Sequence, residues 1–504
     1  MIKKKFTLLD YQLAFQKNLA IAVRDHQQVI ACAATGSGKT KTFIDTSAKA
    51  HAKGKTILII SESLKIFEQI KEEIEATEIA DGKNYKTIQP HFVYLAMAQT
   101  LRNRQHLIEQ FAALGPNLLV IFDECHMGNG AAILKLFKSN GVLIIGFSAT
   151  PEGKHLVDIY NHCVVGPQPH DLVLSGDLTP YKHIARQRAD IANLRLNSAG
   201  DEYTEESQEE VFESDEVYEG LTEDLRVIPF RKCIIYCASI RDCEHTYETL
   251  TAAGFICSRI HTRMTKDEQK IEMDKFMGLT PIMINVAILT KGYDYQPIDL
   301  IVLKFKTKKL TKYIQCIGRG SRVLDEDRGK PLEQRKKQVF RVLDYGQNHE
   351  AHKQWDYEHD WANKWQGKPT RPGVPPHKLC PNCNHLIPNS IKKCPNCGYE
   401  FVSLTLDPEP AEQPETVLIE ITQPYTQLSG KKLSELSPEE LAIYAKTKNK
   451  RMYAIRVAKA RAQNNDEDFL RSFGAAMGYK WGWAQRLLEN MPTDPIEYND
   501  FILR

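Results

Sequence analysis

The sequence has almost no charge imbalance, no long apolar run and no hydrophobic leader. Lys plus Arg total 66 against 64 Asp plus Glu, a formal net charge of +2. Neither a basic coat for nucleic acid nor an acidic tail is implied, so any polyanion site must be a local patch. No uninterrupted apolar stretch approaches the roughly 18 residues that span a bilayer. The start MIKKKFTLLDYQLAF carries lysines with no apolar segment behind them, so a secretory leader is not expected. A cytoplasmic location without a membrane partner is therefore expected.

The chain has 504 residues, 42% hydrophobic and 26% charged, enough to bury the cores of two or three domains. Of 12 cysteines, most lie scattered in apolar or strand-like segments such as CIIYCASIRDC. That usage fits buried thiols in a reducing compartment better than disulfides. Cys380, Cys383, Cys394 and Cys397 are set apart in CPNCNHLIPNSIKKCPNC. Each CxxC can place two thiolates on one tetrahedral ion at about 2.3 Å, and four close the shell, which marks structural rather than catalytic zinc. His385 lies in the loop between them and is expected to face solvent.

VIACAATGSGKTKTFIDTSAKA reads as an apolar strand from Val29 to Cys32, a loop of small residues and a helix starting near Lys39. That context makes a phosphate loop credible. Backbone N–H groups around Thr35, Gly36, Ser37 and Gly38 would close on phosphates at a helix N-terminus. Lys39 would reach the β- and γ-phosphates and Thr40 would hold Mg²⁺. Ala33 stands where the strict GxxxxGK[ST] pattern has glycine.

In LLVIFDECHMG, Asp123, Glu124, Cys125 and His126 are all metal-binding types. A zinc site is disfavoured, because neighbouring strand residues point to opposite faces and cannot converge on one ion. LLVIF instead reads as a buried parallel strand delivering Asp123 to the ligand edge of an α/β sheet. Asp123 would hold Mg²⁺, Glu124 would activate the attacking water, Cys125 would pack and His126 would couple.

With AATGSGKT and DECH together, the chain resembles superfamily 2 DExH-type helicases, and other segments resemble that family's motifs in order. DYQ resembles its adenine-reading segment, with Gln12 as the reader. GFSATP, with Ser148 and Thr150, resembles the motif linking hydrolysis to nucleic acid. The first nucleic-acid motif is matched by IISESLKIFEQI with Ser63, and the second by VYLAMAQTL with Gln99, although Met97 replaces its usual Thr. RKCIIYCASIRDC resembles the start of a second lobe. Thr290, Gly292 and Asp294 carry the next motif in ILTKGYDYQP.

QCIGRGSR supplies Gln315, Gly318, Arg319 and Arg322. Two arginines three apart would share a helix face. The resemblance gives them the arginine-finger role, a cationic clamp worth about 10³ to 10⁵ in rate.

The family's α/β fold implies two RecA-like parallel-sheet lobes with ATP in the cleft between them. Lobe one is placed at 1–165, a linker with an acidic segment at 166–224 and lobe two at 225–348. A linker at 349–377, a zinc ribbon at 378–402, a second linker at 403–430 and a small helical, basic C-terminal domain at 431–504 follow. Residues 201–224 carry 12 acidic side chains and no basic one. A short helix anchored by Val211, Phe212, Tyr218 and Leu221 is expected there. Within 441–465, Lys446, Lys448, Lys450, Arg451, Arg456, Lys459 and Arg461 occur with no acid, as a phosphate track or a solvated face. Trp481 and Trp483 are expected to pack a small helical domain, and KFKTKKLTK to be a solvated loop.

Function then divides between an ATP-driven motor on nucleic acid and a nucleotide-switched clamp that binds without stepping. Retention of Lys39, Glu124 and both arginines favours the motor. DECH with DYQ resembles DNA translocases more than the RNA branch, which leaves a DExH-type RNA helicase as the alternative. Within the DNA group the chain most resembles phage recombination helicases of the UvsW type. That resemblance implies branch migration or fork and junction processing on duplex or branched DNA, recombination or replication proteins as partners, host cytoplasm, and ATP, Mg²⁺ and structural Zn²⁺ as ligands.

Overall fold

Apolar runs such as VIAC, TILII, LLVIF and LIIGF have the composition of strands covered on both faces, and they form the first sheet. The computed structural model describes residues 2–3, 6–81, 86–186, 190–290, 295–367, 377–379, 386–388, 393, 397–400, 418–421, 428, 430–447, 450–464, 466–479, 482–492 and 494–498. Strands β1 (Gln28–Cys32), β2 (Thr56–Ser61), β3 (Thr77–Ile79), β4 (Val93–Met97), β5 (Leu118–Asp123), β6 (Leu143–Ser148) and β7 (His162–Val165) make one parallel sheet in the order β3-β4-β2-β5-β6-β1-β7.

Successive side chains of each strand enter separate cores. Leu58 and Ile60 of β2 join one, while Ile57 and Ile59 join another with Phe15 and Leu19 of the helix Asp10–His26 and Phe43 of the helix Lys39–Ala52. The register levels the carboxyl ends. Cys32 stands opposite Ser148, and Asp123 opposite Phe147.

The second sheet contains β8 (Tyr181–Arg186), β9 (Cys233–Cys237), β10 (Cys257–Ile260), β11 (Ile282–Asn285), β12 (Leu300–Lys304) and β13 (Phe340–Asp344). After a short hairpin of β14 (His377–Leu379) and β15 (Leu386–Pro388), β16 (Leu418–Glu420) returns to it. The order is β10-β11-β9-β12-β13-β8-β16, parallel except for β16, which runs antiparallel to β8. The two α/β lobes have the RecA-like helicase fold, with added helices at the C-terminal end.

Two strands of this sheet come from segments expected to be linkers. β8 lies within 166–224 and β16 within 403–430. YKHIAR mixes polar and apolar residues, so it lacks the continuous apolar run that announces its neighbours, yet five of its six residues are buried or half-buried.

The acidic segment is built into the same lobe as two helices, Glu205–Phe212 and Asp215–Val227. Val211, Phe212 and Leu221 pack with Cys233 and Ile235 of β9, and Tyr218 is buried too. Asp224 pairs with Arg186 at 2.8 Å and accepts the Tyr345 hydroxyl at 2.6 Å. Most acids lie on the outer face and apolar residues at helical spacing on the inner face, where Asp224 is paired, which explains a docked segment despite its charge.

KFKTKKLTK is not a solvated loop. Lys304 ends β12 fully buried, bonded to Asp242 and Thr246 and lying 3.8 Å from the Tyr218 ring centroid. Lys306 and Thr307 are buried as well. Paired carboxylate and aromatic partners are what permit an ammonium there.

At the C-terminal end, helices Pro438–Thr447, Arg451–Gln463, Glu467–Met477 and Trp483–Glu489 pack together. Trp483 lies over Gly474 and beside Phe473 and Tyr479, as a packing residue. Arg461 is bonded to Asp466 and the Leu436 carbonyl, whereas Lys450, Arg451 and Arg456 are exposed. Lys448 and Trp481 lie outside the described residues. Among the described residues no helix is long and apolar enough to cross a membrane.

Candidate functional site

Levelled strand ends place the chemistry along one edge of the first sheet, facing the second lobe. The chain leaves β1 through Ala33, whose N–H donates to the Ser148 carbonyl at 3.0 Å and extends the ladder. The departure from the strict glycine pattern therefore falls where a side chain is tolerated. Gly36 and Gly38, with φ of +84° and +74°, occupy the left-handed region, where glycine carries no penalty. A Cβ on Gly38 would strike the Gln12 amide, and one on Gly36 would press on Leu178 and Ser321.

Gly38 caps the helix beginning at Lys39, so unpaired N–H groups and the positive dipole end face the cleft. The Thr35 and Ser37 hydroxyls are buried with no hydrogen-bond partner among the described residues. Two such donors beside a helix N-terminus fit a phosphate chain.

Gln12 anchors this loop. Its Nε2 donates to the Ser37 carbonyl at 2.8 Å, and its Oε1 accepts the Leu9 N–H at 2.9 Å. The amide keeps one further donor and one acceptor position, enough for an adenine edge. Tyr11, whose hydroxyl also donates to the Ser37 carbonyl at 2.9 Å, was not singled out in the sequence. Its only signal there is adjacency to Gln12.

Asp123 ends β5 buried. Burial, then the charge of Glu124, pushes its carboxyl up to about 7, against the opposing pull of Lys39. A divalent cation would relieve that deficit of positive charge. Glu124 follows with φ of +53°, a strained backbone of the kind held at reactive positions. Its Oε1 lies 3.9 Å from Lys39 Nζ and its Oε2 lies 3.3 Å from His126 Nδ1. The four neighbours do not converge on one ion, since Cys125 is buried in the core and His126 turns toward Ser148.

From His126 the contacts continue across the lobes. His126 Nδ1 lies 2.9 Å from Ser148 Oγ, which accepts the Thr150 N–H at 3.0 Å, and Thr150 Oγ1 lies 2.8 Å from Thr311 Oγ1. Thr311 belongs to the helix Leu310–Ile317 of the second lobe.

The two arginines do not share a helix face. That helix ends at Ile317, and Gly318, Arg319 and Gly320 form the turn after it, while Arg322 bridges to Leu178. Glycines on both sides of Arg319 stop the helix, and a Cβ on Gly318 would overlap Thr35. Close approach of the turn brings Gln315, Arg319 and Arg322 into the same 570 Å³ cavity as Lys39, Thr40 and Glu124, with Gln12 and Asp123 also on its wall. Burial, then the Arg319 charge, lowers the Lys65 ammonium.

Lys337, also unmarked in the sequence, is buried behind Arg322. Its Nζ donates to the Arg322 and Gln296 carbonyls, each at 2.8 Å, and burial lowers it to about 7. Lys337→Met would leave the Gln296 carbonyl unpaired, while Thr179 still donates to that of Arg322. A loss of about 1 to 3 kcal/mol in stability is expected, read by denaturant unfolding, together with a fall in ATPase kcat larger than any change in KM. A stability change with unaltered kcat would separate Lys337 from the arginine turn.

Ser63 precedes the helix Leu64–Glu73 after β2, and Gln99 is exposed in the helix Ala98–Arg102 after β4, so both stand at the carboxyl edge. Thr290 ends a short turn of 3-10 helix, Ile288–Thr290. Gly292 and Asp294 lie outside the described residues, as do Cys380, Cys383 and Cys394. Cys397 is exposed.

Two family descriptions match this arrangement. "Type III restriction enzyme, res subunit" covers residues 5–153, and "Helicase conserved C-terminal domain" covers residues 217–323. The chain carries a superfamily 2 helicase core. Its helicase-type ATPase domains imply ATP and Mg²⁺.

Among its relatives is a "51.5 kDa protein" of Lactococcus phage (isolate 7-9), 24% identical over 73% of this chain and 76% of that one. A "Type I restriction enzyme EcoAI endonuclease subunit" of Escherichia coli is 25% identical over 64% of this chain and 44% of the subunit. An "ATP-dependent RNA helicase eIF4A" of Kluyveromyces lactis is 23% identical over 61% of this chain and 78% of its own. A solved fragment of a putative HsdR subunit of a type I restriction enzyme from Vibrio vulnificus YJ016 shares the fold, with a TM-score of 0.54 and 20% identity over 69% of this chain and 66% of the fragment. The chain thus spans less than half of the restriction subunit and 66% of the HsdR fragment.

Proposed function

We propose that this protein is an ATP-dependent DNA translocase that remodels branched DNA by branch migration or by fork and junction processing, in recombination, repair or replication. The observation that carries the reading is the run of contacts from Glu124 through His126, Ser148 and Thr150 to Thr311, which joins the nucleotide cleft to the second lobe. A chain that only clamped nucleic acid would have no need of a water-activating carboxylate at its start.

Lys39 and the backbone of Thr35 to Gly38 bind the phosphates, Gln12 orients the base, and Glu124 takes the proton of the attacking water. A divalent cation held by Thr40 and Asp123 would supply charge neutralisation at the phosphates. Arg319 and Arg322, with Gln315 beside them, report closure of the second lobe on the γ-phosphate. Ser63, Gln99 and Thr290 would contact nucleic acid, and Gly292 and Asp294 would help to bind the nucleotide. Cys380, Cys383, Cys394 and Cys397 would hold structural zinc.

DNA is favoured by DECH with DYQ, which resemble DNA translocases more than the RNA branch, and by a family description and a relative that are named for restriction enzymes. Moving a junction re-forms one base pair for each one broken, so a small motor avoids the roughly 0.6 to 2.2 kcal/mol per step of net strand separation. Likeness to an RNA helicase supports the second reading, action on RNA.

Steady-state ATP hydrolysis with Holliday and fork junctions, linear duplex, single-stranded DNA and RNA tests both. Strongest stimulation by branched or duplex DNA supports the proposal, stimulation by RNA alone replaces it with the second reading, and binding without turnover returns the clamp. Thr311→Val should weaken coupling by about 0.5 to 2 kcal/mol, a roughly two- to thirty-fold loss of nucleic-acid stimulation with basal hydrolysis retained. Equal loss of basal and stimulated rates would place Thr311 in hydrolysis itself.

A further inference from the structure

His183, Asp344 and His349 meet inside the second lobe, and none of them lines the nucleotide cleft. His183 lies on β8 and Asp344 on β13, and neighbouring-strand register puts them on one sheet face, with Val342 opposite His183 and Asp344 opposite Ala185. His349 follows from the helix Asn348–His352. Their side chains are 0%, 0% and 3% exposed.

The contacts fit either a set of metal ligands or long hydrogen bonds, of which His349 Nδ1 to Asp344 Oδ2 at 3.3 Å is one. His183 Nε2 lies 3.5 Å and His349 Nδ1 lies 3.3 Å from the same carboxylate oxygen, Asp344 Oδ2. Charge-assisted N–H···O bonds are shorter, about 2.7 to 2.9 Å. Ligands about 2.0 to 2.2 Å from a tetrahedral zinc stand roughly 3.3 to 3.5 Å from one another, which is the spacing observed. All the donor atoms lie within 4.8 Å of each other.

The surroundings are those of a ligand set. Asp344 Oδ1 accepts the Asn348 side-chain amide at 2.9 Å, and Oδ2 accepts the His349 backbone N–H at 3.1 Å. Hydrogen bonds of this kind orient a coordinating carboxylate. Among the described residues the ion-pair partners of Asp344 are the two histidines, with no lysine or arginine at ion-pair distance.

We propose that His183, Asp344 and His349 bind a divalent transition-metal ion of the zinc class, which cross-links β8 to β13 and the helix after it. Two imidazoles and one carboxylate suit such an ion. The bond would tie β8, which arrives from the segment between the lobes, to β13 and the helix after it, closing the sheet through residues more than 150 positions apart in the chain. This site is independent of the cysteine cluster and of the choice between DNA and RNA.

The test uses the full chain produced with zinc supplementation, comparing wild type, Cys394→Ser/Cys397→Ser, His349→Ala and His349→Cys by metal analysis and zinc X-ray absorption. The double cysteine variant should retain one zinc equivalent with only N/O neighbours near about 2.0 Å and no sulfur near about 2.3 Å. His349→Ala, placed in that background, should lose it. His349→Cys, a replacement that can still ligate, should keep the ion and show one sulfur. A double cysteine variant without metal, or a metal content unchanged by His349→Ala, overturns the proposal. If His349→Ala does not fold, a His349→Cys spectrum without sulfur overturns it equally.

Discussion

Arg319→Ala is expected to lower kcat for ATP hydrolysis by about 10³-fold or more, the scale of losing a cationic clamp on a transferring phosphoryl group. Arg319 is 6% exposed and sits on a turn whose Gly318 approaches Thr35 too closely to accept a Cβ. The turn therefore stands against the phosphate loop without belonging to the lobe that carries it, and Arg319 lines the cavity they share. Affinity for a non-hydrolysable ATP analogue should change far less than kcat, because Lys39 and the loop N–H groups supply most of the ground-state binding. Arg319→Lys should not restore the rate, since an ammonium lacks the planar fork that spans two phosphate oxygens. Chemical quench kinetics with unfolding curves as a control would decide it. A fall below tenfold in a folded variant would remove Arg319 from the transition state and leave Arg322 as the clamp.

The same turn marks how far the sequence could be read. The end of β5 at Asp123 was legible because the apolar run LLVIF stops there, and the helix start at Lys39 because a loop of small residues follows VIAC; a parallel strand must deliver its last residues to the ligand edge. The arginines were legible by identity, but their placement on a helix face was not. Glycines on both sides of Arg319 end the helix at Ile317, and the turn, rather than helical periodicity, aims both side chains into the cleft. β8 was missed because YKHIAR lacks an apolar run, although His183 sits fully buried in it. Lys304 was misplaced because a lysine run reads as solvated unless its partners are known. Asp242 and Tyr218 supply them from 62 and 86 positions away, a separation that no local pattern reports. Thr311 and Lys337 belong to the same class, as their roles depend on which surface of the other motifs the fold brings to them.

Glu124→Gln should reduce ATP turnover by about 10² to 10⁴-fold, the range for loss of a positioned general base, while nucleotide and nucleic-acid binding persist. The substitution keeps shape and hydrogen-bonding reach but removes the charge that faces Lys39 at 3.9 Å and His126 at 3.3 Å. Glu124 stands at a φ of +53°, and glutamine has the same backbone and stem, so the loss is expected to lie in chemistry rather than in conformation. His126→Ala provides the contrast. It leaves the carboxylate in place and breaks the contact that continues to Ser148, so basal hydrolysis should survive while nucleic-acid stimulation falls. If Glu124→Gln abolished turnover and His126→Ala spared only the basal rate, proton abstraction and lobe coupling would be separable functions of two residues two positions apart. Equal collapse of basal and stimulated rates in both variants would instead make His126 part of the base itself, holding Glu124 in its strained conformation, and would shift the start of the inter-lobe connection to Ser148.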